Sequence, residues 1–335
     1  MIIIMKNIDI SKTYIVTGAA GFIGFYLSKS LLGLGCKVIG IDNLNDYYDV
    51  SLKEDRLSIL KTNEKFTFVK CDIADKTNLE DVFNTYKPDI VVNLAAQAGV
   101  RYSIDNPEAY VKSNLVGFCN ILECCRNYPI DHLVYASSSS VYGGNDKVPF
   151  SVEDKVDNPV SLYAATKKSN ELLAYSYSKL YNIPSTGLRF FTVYGPYGRP
   201  DMALFKFTKN ILEDKPIEIY NNGDMYRDFT YIDDIITGVV NILPNCPIVD
   251  KKGVPYKVYN IGNNNPEKLM DFVTIIEESL GKEAIKEYKP MQMGDVYQTY
   301  ADVDELIKDF GFKPDTKLRY GVERFVNWYK EYYNV

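Results

Sequence analysis

Tyr163 and Lys167 form the residue pair in this 335-residue chain that most directly suggests chemistry. The run from residue 163 to 180 predicts a helix, and residues four apart on a helix project from one face. A tyrosine ordinarily ionises near pH ~10, and a nearby ammonium favours the phenolate. We therefore expect Lys167 to move Tyr163 toward the range in which it takes a hydroxyl proton at neutral pH. The spacing alone is weak support, because the chain has 28 tyrosines and such pairs arise by chance.

A glycine-rich stretch near the start of the chain predicts a dinucleotide site. A β-rich run at residues 13–17 leads directly into Gly18, Gly21 and Gly24, and an apolar helical pattern follows at 25–34. Glycines here allow a tight turn and let the backbone approach a pyrophosphate at the helix N-terminus, where free N–H groups favour anions. The spacing is G-x-x-G-x-x-G rather than G-x-G-x-x-G, so the prediction rests on the strand, turn and helix context, and a simple tight turn is the alternative.

Two acidic residues follow the next two predicted strands. Asp42 comes after the run at 37–41, near the ~20-residue offset expected of a carboxylate that binds the adenosine ribose. A carboxylate there repels a 2′-phosphate, so NAD is favoured over NADP. Asp72 ends the third strand, at 66–71, beside the predicted adenine pocket, and capping of the following helix is its alternative role.

A run of serines, Ser137 to Ser140, follows the predicted strand at 133–136. Ligands of open α/β sheets bind beyond the carboxyl ends of the strands, so these hydroxyls are expected to face the same crevice as the glycine-rich turn. A serine run alone is more often just a turn. Its position after a strand and before the Tyr163 helix favours a role in the site.

Strands and helices alternate through the first part of the chain. An apolar strand at 88–94 is followed by small residues at 95–100, which let a cofactor lie close, and then by an amphipathic helix at 109–127. This alternation predicts an α/β fold with a doubly wound, parallel Rossmann sheet.

The alternation breaks near residue 192, where the density of turns rises. We therefore expect residues 1–191 to form an NAD-binding Rossmann domain, to which segments near 230–262 return. Residues 192–335 are expected to form mainly a smaller α/β domain that binds the substrate.

Composition excludes several classes of function. A net charge of −6 gives no basic field for nucleic acid or an anionic membrane surface. The six cysteines lack C-x-x-C spacing, which predicts free thiols in a reducing compartment, the cytoplasm. The single histidine, His132, argues against metal sites and a Ser-His-Asp hydrolase. The apolar run at residues 1–5 is too short for a signal segment or a membrane span, and we interpret it as a ragged start upstream of the true initiator.

Taken together, these features resemble the extended short-chain dehydrogenase/reductase superfamily of nucleotide-sugar enzymes, over essentially the full chain. The motifs that carry the resemblance occur in the family's order: TGAAGFIG at 17–24, S-x-x-x-x-Y-G at 137–143, the pair Tyr163 and Lys167, and RDFTYIDD at 227–234. Within the superfamily, the chain is most similar to the UDP-glucuronate 4-epimerases. The segments behind this are NDYYD at 45–49, AAQAGVRYS at 95–103 and YGPYGRPDMA at 194–203. Asn93 departs from the pattern, since relatives often carry His there, and we interpret it as a structural position.

The resemblance implies tightly held NAD, a UDP-sugar substrate and inversion of C4 of UDP-glucuronate to UDP-galacturonate through a 4-keto intermediate, a step of polysaccharide biosynthesis. It implies that Tyr163 is the base, that Lys167 binds the nicotinamide ribose, and that Ser138 bridges the sugar O4 and Tyr163. It also implies a homodimer that pairs the helices at 109–127 and 163–180, with packing inside one subunit as the alternative.

Arg227 is the candidate for the diphosphate, because a guanidinium suits phosphate oxygens, and a surface salt bridge is its alternative role. The predicted cofactor contacts are Gly18, Gly21, Phe22, Ile23, Gly24, Asp42, Asn43, Asp72, Ile73, Leu94, Ala95, Ala96, Tyr163 and Lys167. The predicted substrate contacts are Gln97, Ser138, Ser139, Ser140, Tyr163, Thr192, Arg199, Arg227 and Asp295. No metal site is predicted.

Four alternatives share parts of this pattern. A 4,6-dehydratase carries an Asp-Glu pair where this chain has Ser139 and Ser140, and a UDP-glucuronate decarboxylase usually carries Glu at position 140. A 4-epimerase of UDP-glucose or UDP-N-acetylglucosamine is the second choice. Its neutral sugar needs no cation near C6. Arg199, Thr192 and the two serines are therefore the residues that distinguish it from a UDP-glucuronate 4-epimerase. A non-catalytic NAD(H)-binding sensor commonly loses the Tyr or the Lys, both of which this chain keeps.

Overall fold

The computed structural model describes residues 8–335, so the apolar run at residues 1–5 lies outside the described part of the chain. The strands, in chain order, are β1 (Thr13–Thr17), β2 (Lys37–Asp42), β3 (Phe66–Lys70), β4 (Ile90–Asn93), β5 (His132–Ser138), β6 (Ser185–Phe190), β7 (Thr192–Tyr194), β8 (Ile217–Ile219), β9 (Tyr226–Tyr231), β10 (Tyr256–Ile261), β11 (Pro266–Lys268) and β12 (Lys286–Tyr288). The α-helices are α1 (Phe22–Gly33), α2 (Val50–Leu60), α3 (Lys76–Tyr86), α4 (Tyr102–Asp105), α5 (Pro107–Tyr110), α6 (Phe118–Asn127), α7 (Leu162–Tyr181), α8 (Ala203–Leu212), α9 (Ile232–Ile242), α10 (Leu269–Leu280), α11 (Asp304–Phe310) and α12 (Leu318–Tyr333).

The main sheet contains seven strands in the order β10-β6-β5-β4-β1-β2-β3, and every neighbouring pair is parallel. Helices cover both faces of such a sheet, which is why β4 and β6 are buried along their whole length. The strand order reverses between β1 and β4, and ligands bind beyond the carboxyl ends of the strands at such a point. The predicted α/β, doubly wound Rossmann fold is confirmed.

The later part of the chain forms two small sheets, one of β11, β9 and β7 and one of β12 and β8. The smaller C-terminal α/β portion is therefore present as predicted. Strand β10 pairs with β6 in the main sheet, and α9 packs against α1. The division of the chain into two domains at residue 192 stays a prediction. No helix within residues 8–335 combines the length and apolar character that a membrane crossing requires.

The helix predicted at 109–127 is interrupted by a π-helical segment, Val111–Gly117, between α5 and α6. Asn114 lies in this segment and is almost fully buried. Its Oδ1 accepts a hydrogen bond from the Gln97 amide at 2.8 Å, and its Nδ2 donates to the Gln97 carbonyl and to Thr166 Oγ1, both at 3.0 Å. Single wide turns of this kind are frequent at functional sites, and here the wide turn connects the segment after β4 to α7.

His132, the first residue of β5, is completely buried. Its ring nitrogens lie 3.0 Å from the Leu243 carbonyl oxygen and 2.8 Å from Thr186 Oγ1. Burial lowers the pKa of His132 to about 4, because the apolar surroundings disfavour the imidazolium.

We expect His132 to make the fold sensitive to acid between pH 6.5 and pH 4. Below pH 6.5 His132 is protonated in the unfolded chain, whereas in the native state it stays neutral until about pH 4. The contribution of His132 to the free energy of unfolding is therefore complete above pH 6.5. It falls by roughly 3 kcal/mol as the pH drops from 6.5 to 4. Urea unfolding at several pH values, on the wild type and on His132→Gln, isolates this histidine from other titrating groups. A wild type whose pH dependence equals that of His132→Gln would contradict the assignment.

Candidate active site

All residues predicted to contact cofactor or substrate line one cavity of about 970 Å³. The cavity reaches from the glycine-rich turn after β1 to the small sheets of the later part of the chain. Residues far apart in the sequence are therefore brought together as the predicted site requires. Among the described residues, no cluster of three or more His, Cys, Asp or Glu is placed to hold a metal ion.

The glycine-rich turn meets the requirements of a pyrophosphate site. Gly18 has φ +69°, and a Cβ there would lie 2.9 Å from the Ala95 nitrogen. A Cβ at Gly24 would lie 2.0 Å from the Gly18 carbonyl oxygen, so only glycine allows this packing. Helix α1 begins at Phe22, earlier than the pattern predicted, and its first turn carries no acidic residue. The helix N-terminus therefore presents free N–H groups and a positive dipole to the cavity.

Asp42 ends β2 beside this turn and is 7% exposed. Its Oδ2 accepts a hydrogen bond from the Ala20 amide at 3.1 Å, and its Oδ1 accepts from the Leu44 amide at 2.9 Å. These contacts fix the carboxylate at the edge of the cavity, where a ribose diol would meet it.

Asp72 lines the cavity after β3, but it is not the N-cap of the following helix, which was its alternative role. Asp75 caps α3 instead, accepting from the Asn78 amide at 3.2 Å. Asp72 accepts from the Ala74 amide at 3.0 Å and pairs with Lys112 Nζ at 3.0 Å. Burial disfavours its charge, but these two partners hold the pKa of Asp72 below its ordinary value.

Asn93, which stands where relatives often carry His, is buried at the end of β4. Its Oδ1 accepts from Thr17 Oγ1 at 2.8 Å, and that hydroxyl accepts from the Ala95 amide at 3.1 Å. The side chain thus connects the ends of β1 and β4 below the cavity.

Tyr163 lies in the first turn of α7, whose N-cap Ser161 accepts from the Ala164 amide at 3.1 Å. Burial raises the pKa of Tyr163 above its ordinary value, while a hydrogen bond with Ser138 and the charge of Arg199 lower it in part. The expectation that Lys167 draws the phenol pKa down is therefore wrong for this structure, because burial dominates and the cation that lowers this pKa is Arg199.

Lys167 is 3% exposed and donates to the Ala136 carbonyl oxygen at 2.9 Å. Its Nζ lies 6.0 Å from the centre of the Tyr163 ring. Burial alone lowers the pKa of Lys167 to about 8. Lys167 lines the cavity, and its ammonium has further N–H donors that could bind a cofactor ribose hydroxyl.

The serines after β5 form a short 3₁₀ turn, Ser139–Tyr142, that begins from Ser138. Ser138 Oγ accepts from the Ser140 amide at 3.2 Å and donates to Ser140 Oγ at 3.1 Å. Ser137 donates to Glu171 Oε1 at 2.7 Å. All four serines line the cavity, and the bond to Glu171 also connects the serine run to α7.

Two arginines line the cavity, and each pairs with a carboxylate. Arg227 Nη2 pairs with Asp295 Oδ1 at 2.7 Å, which places both predicted substrate contacts together. Arg199 pairs with Asp201, its Nε donating to Oδ1 at 2.9 Å and its Nη2 to Oδ2. Burial works against the charge of Arg199, but Asp201 holds the pKa of Arg199 above its ordinary value.

The sequence did not single out several residues that build the site. Tyr47 donates to Asp201 Oδ2 at 3.1 Å, and both line the cavity. The buried Arg56 donates to the Ala20 carbonyl at 2.8 Å and to the Tyr197 carbonyl at 2.6 Å, so α2 braces the glycine-rich turn against the segment that carries Arg199. Tyr47 and Asp201 lie in the segments at 45–49 and 194–203 that carry the family resemblance, but the sequence assigned no role to either side chain. Arg56 lies in the charged helix α2, and its contacts depend on the fold.

A buried ion pair also supports α7, the helix that carries Tyr163 and Lys167. Glu171 accepts from Arg189 Nε at 2.8 Å and from Nη2 at 2.9 Å, and both side chains are 4% exposed. Because Glu171 also accepts from Ser137, the pair connects α7, β5 and β6. It fixes the position of α7 relative to the serine turn.

Comparison with known proteins gives matches over nearly the whole chain. Residues 14–262 match the NAD dependent epimerase/dehydratase family. The chain is 58% identical over 330 residues to "Protein CapI" of Staphylococcus aureus, covering 95% of this chain and 98% of that protein. It is 47% identical over 333 residues to "Probable UDP-glucuronate 4-epimerase" of Rhizobium meliloti, covering 96% of this chain and 97% of that protein. The crystal structure of UDP-glucuronic acid 4-epimerase from Bacillus cereus, in complex with UDP-glucuronic acid and NAD, matches with TM-score 0.88 and 36% identity, covering 96% of this chain and 100% of that chain.

Proposed function

The chain belongs to the NAD dependent epimerase/dehydratase family as a nucleotide-sugar epimerase, and from this premise we propose that it inverts C4 of UDP-glucuronate to give UDP-galacturonate. The observation that carries the proposal is the convergence of Tyr163, Ser138 and Arg199 on the cavity that also contains the glycine-rich turn. A base, a hydroxyl that orients it and a cation for a carboxylate are the groups that this reaction needs.

NAD fits the dinucleotide end of the cavity. Gly18 and Gly24 leave no room for side chains, α1 directs N–H groups at a pyrophosphate, and Asp42 is fixed where the adenosine ribose would lie. Lys167 has donors for the nicotinamide ribose. When bound, NAD accepts a hydride from C4 of the sugar and later returns it.

We expect Asp42 to set the preference for NAD over NADP. Asp42→Asn keeps the size of the side chain and removes its charge, so it should weaken NAD binding by about 10- to 100-fold, the range for losing a charge-assisted hydrogen bond. The same change removes repulsion of the 2′-phosphate of NADP, so NADP affinity should rise. The ratio of NAD affinity to NADP affinity should therefore fall by a larger factor than NAD affinity itself. Calorimetric titration of cofactor-stripped protein measures both. Wild-type protein that prefers NADP would contradict the assignment.

Tyr163 is proposed to take the proton from the sugar O4 as the C4–H bond breaks, which leaves a 4-keto sugar. Ser138 is the last residue of β5 and interacts with Tyr163, so its hydroxyl is proposed to bridge O4 and the phenol oxygen. The planar ketone has lost the configuration at C4. If the sugar then turns and presents its other face, the hydride would return to that face of C4 and Tyr163 would return the proton to O4, which inverts the configuration at C4.

The enzyme must hold UDP firmly and the sugar loosely for that rotation. Arg227 is proposed to bind the diphosphate, with Asp295 fixing the guanidinium from the other side. Gln97, held by Asn114, is proposed to contact the substrate where the segment after β4 lines the cavity. Arg199, Thr192, Ser139 and Ser140 are proposed to contact the C6 carboxylate.

A 4-epimerase of UDP-glucose is the second candidate. The observation in its favour is that Arg199 is already paired with Asp201, so the local charge is compensated before any uronate arrives. Incubating the purified holoenzyme with a panel of UDP-sugars and separating the products by mass spectrometry and chromatography distinguishes the two. Turnover of UDP-glucose well above that of UDP-glucuronate would show that the protein is a UDP-glucose 4-epimerase. No turnover of any UDP-sugar would favour a non-catalytic sensor.

A homodimer is proposed through the helices that flank the site. Leu172 and Leu180 on α7 are 58% and 70% exposed, and Val111 and Val116 in the π-helical segment are also exposed. Exposed apolar side chains on neighbouring helices are typical of an interaction surface.

We expect Leu172→Glu combined with Leu180→Glu to convert the dimer to a monomer, because two charges would then have to be buried at the contact. Light scattering after size exclusion measures the mass. Ile285→Glu, at a comparably exposed position just before β12 in the small sheet with β8, is the control and should leave the mass unchanged. A wild-type monomer would contradict the proposal.

A further inference from the structure

The guanidinium proposed to meet the substrate carboxylate already has a carboxylate partner within the site. Arg199 Nε donates to Asp201 Oδ1 at 2.9 Å, and Nη2 donates to Oδ2. Tyr47 donates its hydroxyl to the same Oδ2 at 3.1 Å. One edge of the guanidinium is thus engaged by Asp201, and Asp201 is fixed from two sides.

This ion pair faces the cavity rather than bulk solvent. Arg199, Asp201 and Tyr47 all line the cavity, and the two charged side chains are only 23% and 22% exposed. Gly99 packs directly against them with φ +108°, and a Cβ there would lie 3.1 Å from Tyr47 Oη and 3.8 Å from Asp201 Oδ2. The pair therefore occupies a defined place, and a substrate carboxylate that reaches Arg199 must approach Asp201 as well.

Two carboxylates that share one guanidinium compete for it. A charge-assisted hydrogen bond is strongest when the cation is otherwise unpaired, and like charges in a partly buried site repel. An unpaired Arg199 would hold the C6 carboxylate tightly, which would oppose rotation of the keto sugar between its two faces. A paired Arg199 would recognise the carboxylate and still release it.

We propose that Asp201 competes with the C6 carboxylate of the substrate for Arg199 and so weakens the hold on the uronate enough to allow the sugar to turn. Asp201 is thereby a positioning and specificity residue for the uronate, and Tyr47 keeps it in place. This inference rests on the proposed function, because it concerns the uronate end of the same site.

Binding of UDP-glucuronate and UDP-glucose to the NAD-loaded enzyme tests the inference. Each Kd is measured by calorimetry in a Tyr163→Phe background, in which turnover is strongly slowed during the titration. Asp201→Asn should lower the Kd for UDP-glucuronate by about tenfold, the lower end of what a charge-assisted hydrogen bond contributes, and should leave the Kd for UDP-glucose unchanged. With Tyr163 restored, the same variant should show a lower KM and a lower kcat on UDP-glucuronate.

Two control variants separate the charge of Asp201 from a purely structural role. Asp201→Glu keeps the competing charge and should retain the wild-type ratio of the two Kd values. Asp154→Asn removes a carboxylate from the Lys147 ion pair outside the cavity and should change neither Kd.

Several results would overturn the inference. Asp201→Asn could leave the affinity for UDP-glucuronate unchanged or weaken it, or it could change the Kd values for both sugar nucleotides by the same factor. Each of these results would show that Asp201 only holds Arg199 in position. An Asp201→Glu variant that tightens uronate binding would overturn it even if the Asn variant does not fold. Failure of the proposed function is a separate result, since it is read from wild-type turnover of UDP-glucuronate, whereas the Kd ratio is measured whether or not turnover occurs.

Discussion

Tyr163→Phe is expected to lower kcat by ~10²–10⁴-fold while leaving the fold and NAD binding intact, because it removes only the oxygen that accepts the O4 proton. The phenylalanine ring keeps the packing of Tyr163 against Tyr110. Initial rates on UDP-glucuronate measure the loss, and the absorbance of bound cofactor reports whether NAD remains. Lys167→Met is expected to be comparably damaging.

The matched control is Tyr175→Phe, which removes a hydroxyl from the same helix at a position outside the cavity. This variant should retain wild-type activity. Near-normal turnover in Tyr163→Phe would show that another residue is the base.

Arg199→Ala is expected to reduce activity on UDP-glucuronate by ~10- to 100-fold, the cost of losing a charge-assisted partner, with a smaller loss on UDP-glucose. Oxidation of glucuronate at C4 gives a β-keto acid. Such an acid loses CO₂ readily when the carboxylate turns until the breaking C–C bond aligns with the ketone π system. Arg199, together with Ser139, Ser140 and Thr192, is proposed to prevent this rotation. A growing share of the product from Arg199→Ala should therefore be the decarboxylated pentose species.

NMR analysis of the products from wild type and variant decides the point. Arg199→Lys keeps a cation but loses the bidentate geometry, so its product mixture should fall between the two. Arg319→Ala, which removes an arginine from the surface pair with Glu278, is the charge-matched control. Equal losses on both sugars without any pentose product would refute the role of Arg199.

The fold was predictable where short-range patterns decide the structure. The strand, glycine turn and helix at residues 13–34 form a local pattern, in which Gly24 packs against the Gly18 carbonyl six residues earlier. The close approach of Gly18 to Ala95, by contrast, is a contact between distant segments. The predicted strand at 88–94 contains the buried apolar run of β4, and this run favoured a parallel sheet. Strand β6 is equally buried, although its sequence STGLRF is not an apolar run.

Contacts between distant segments could not be predicted in the same way. Tyr47 meets Asp201 across 154 residues, and nothing in the sequence near either residue indicates the other. The environment of Tyr163 depends on burial and on Arg199, neither of which the four-residue spacing to Lys167 reveals. The sequence pattern also could not show that Asp75 rather than Asp72 is the N-cap of α3, since both residues lie just before this helix.

The fate of the hydrogen at C4 tests the central claim most directly. UDP-glucuronate carrying deuterium at C4 is incubated with the holoenzyme in ordinary water, and the products are examined by NMR. We predict UDP-galacturonate that retains deuterium at C4, because the hydride leaves and returns within one cavity while only the O4 proton passes through Tyr163. Product with hydrogen from water at C4, or no galacturonate at all, would contradict the account.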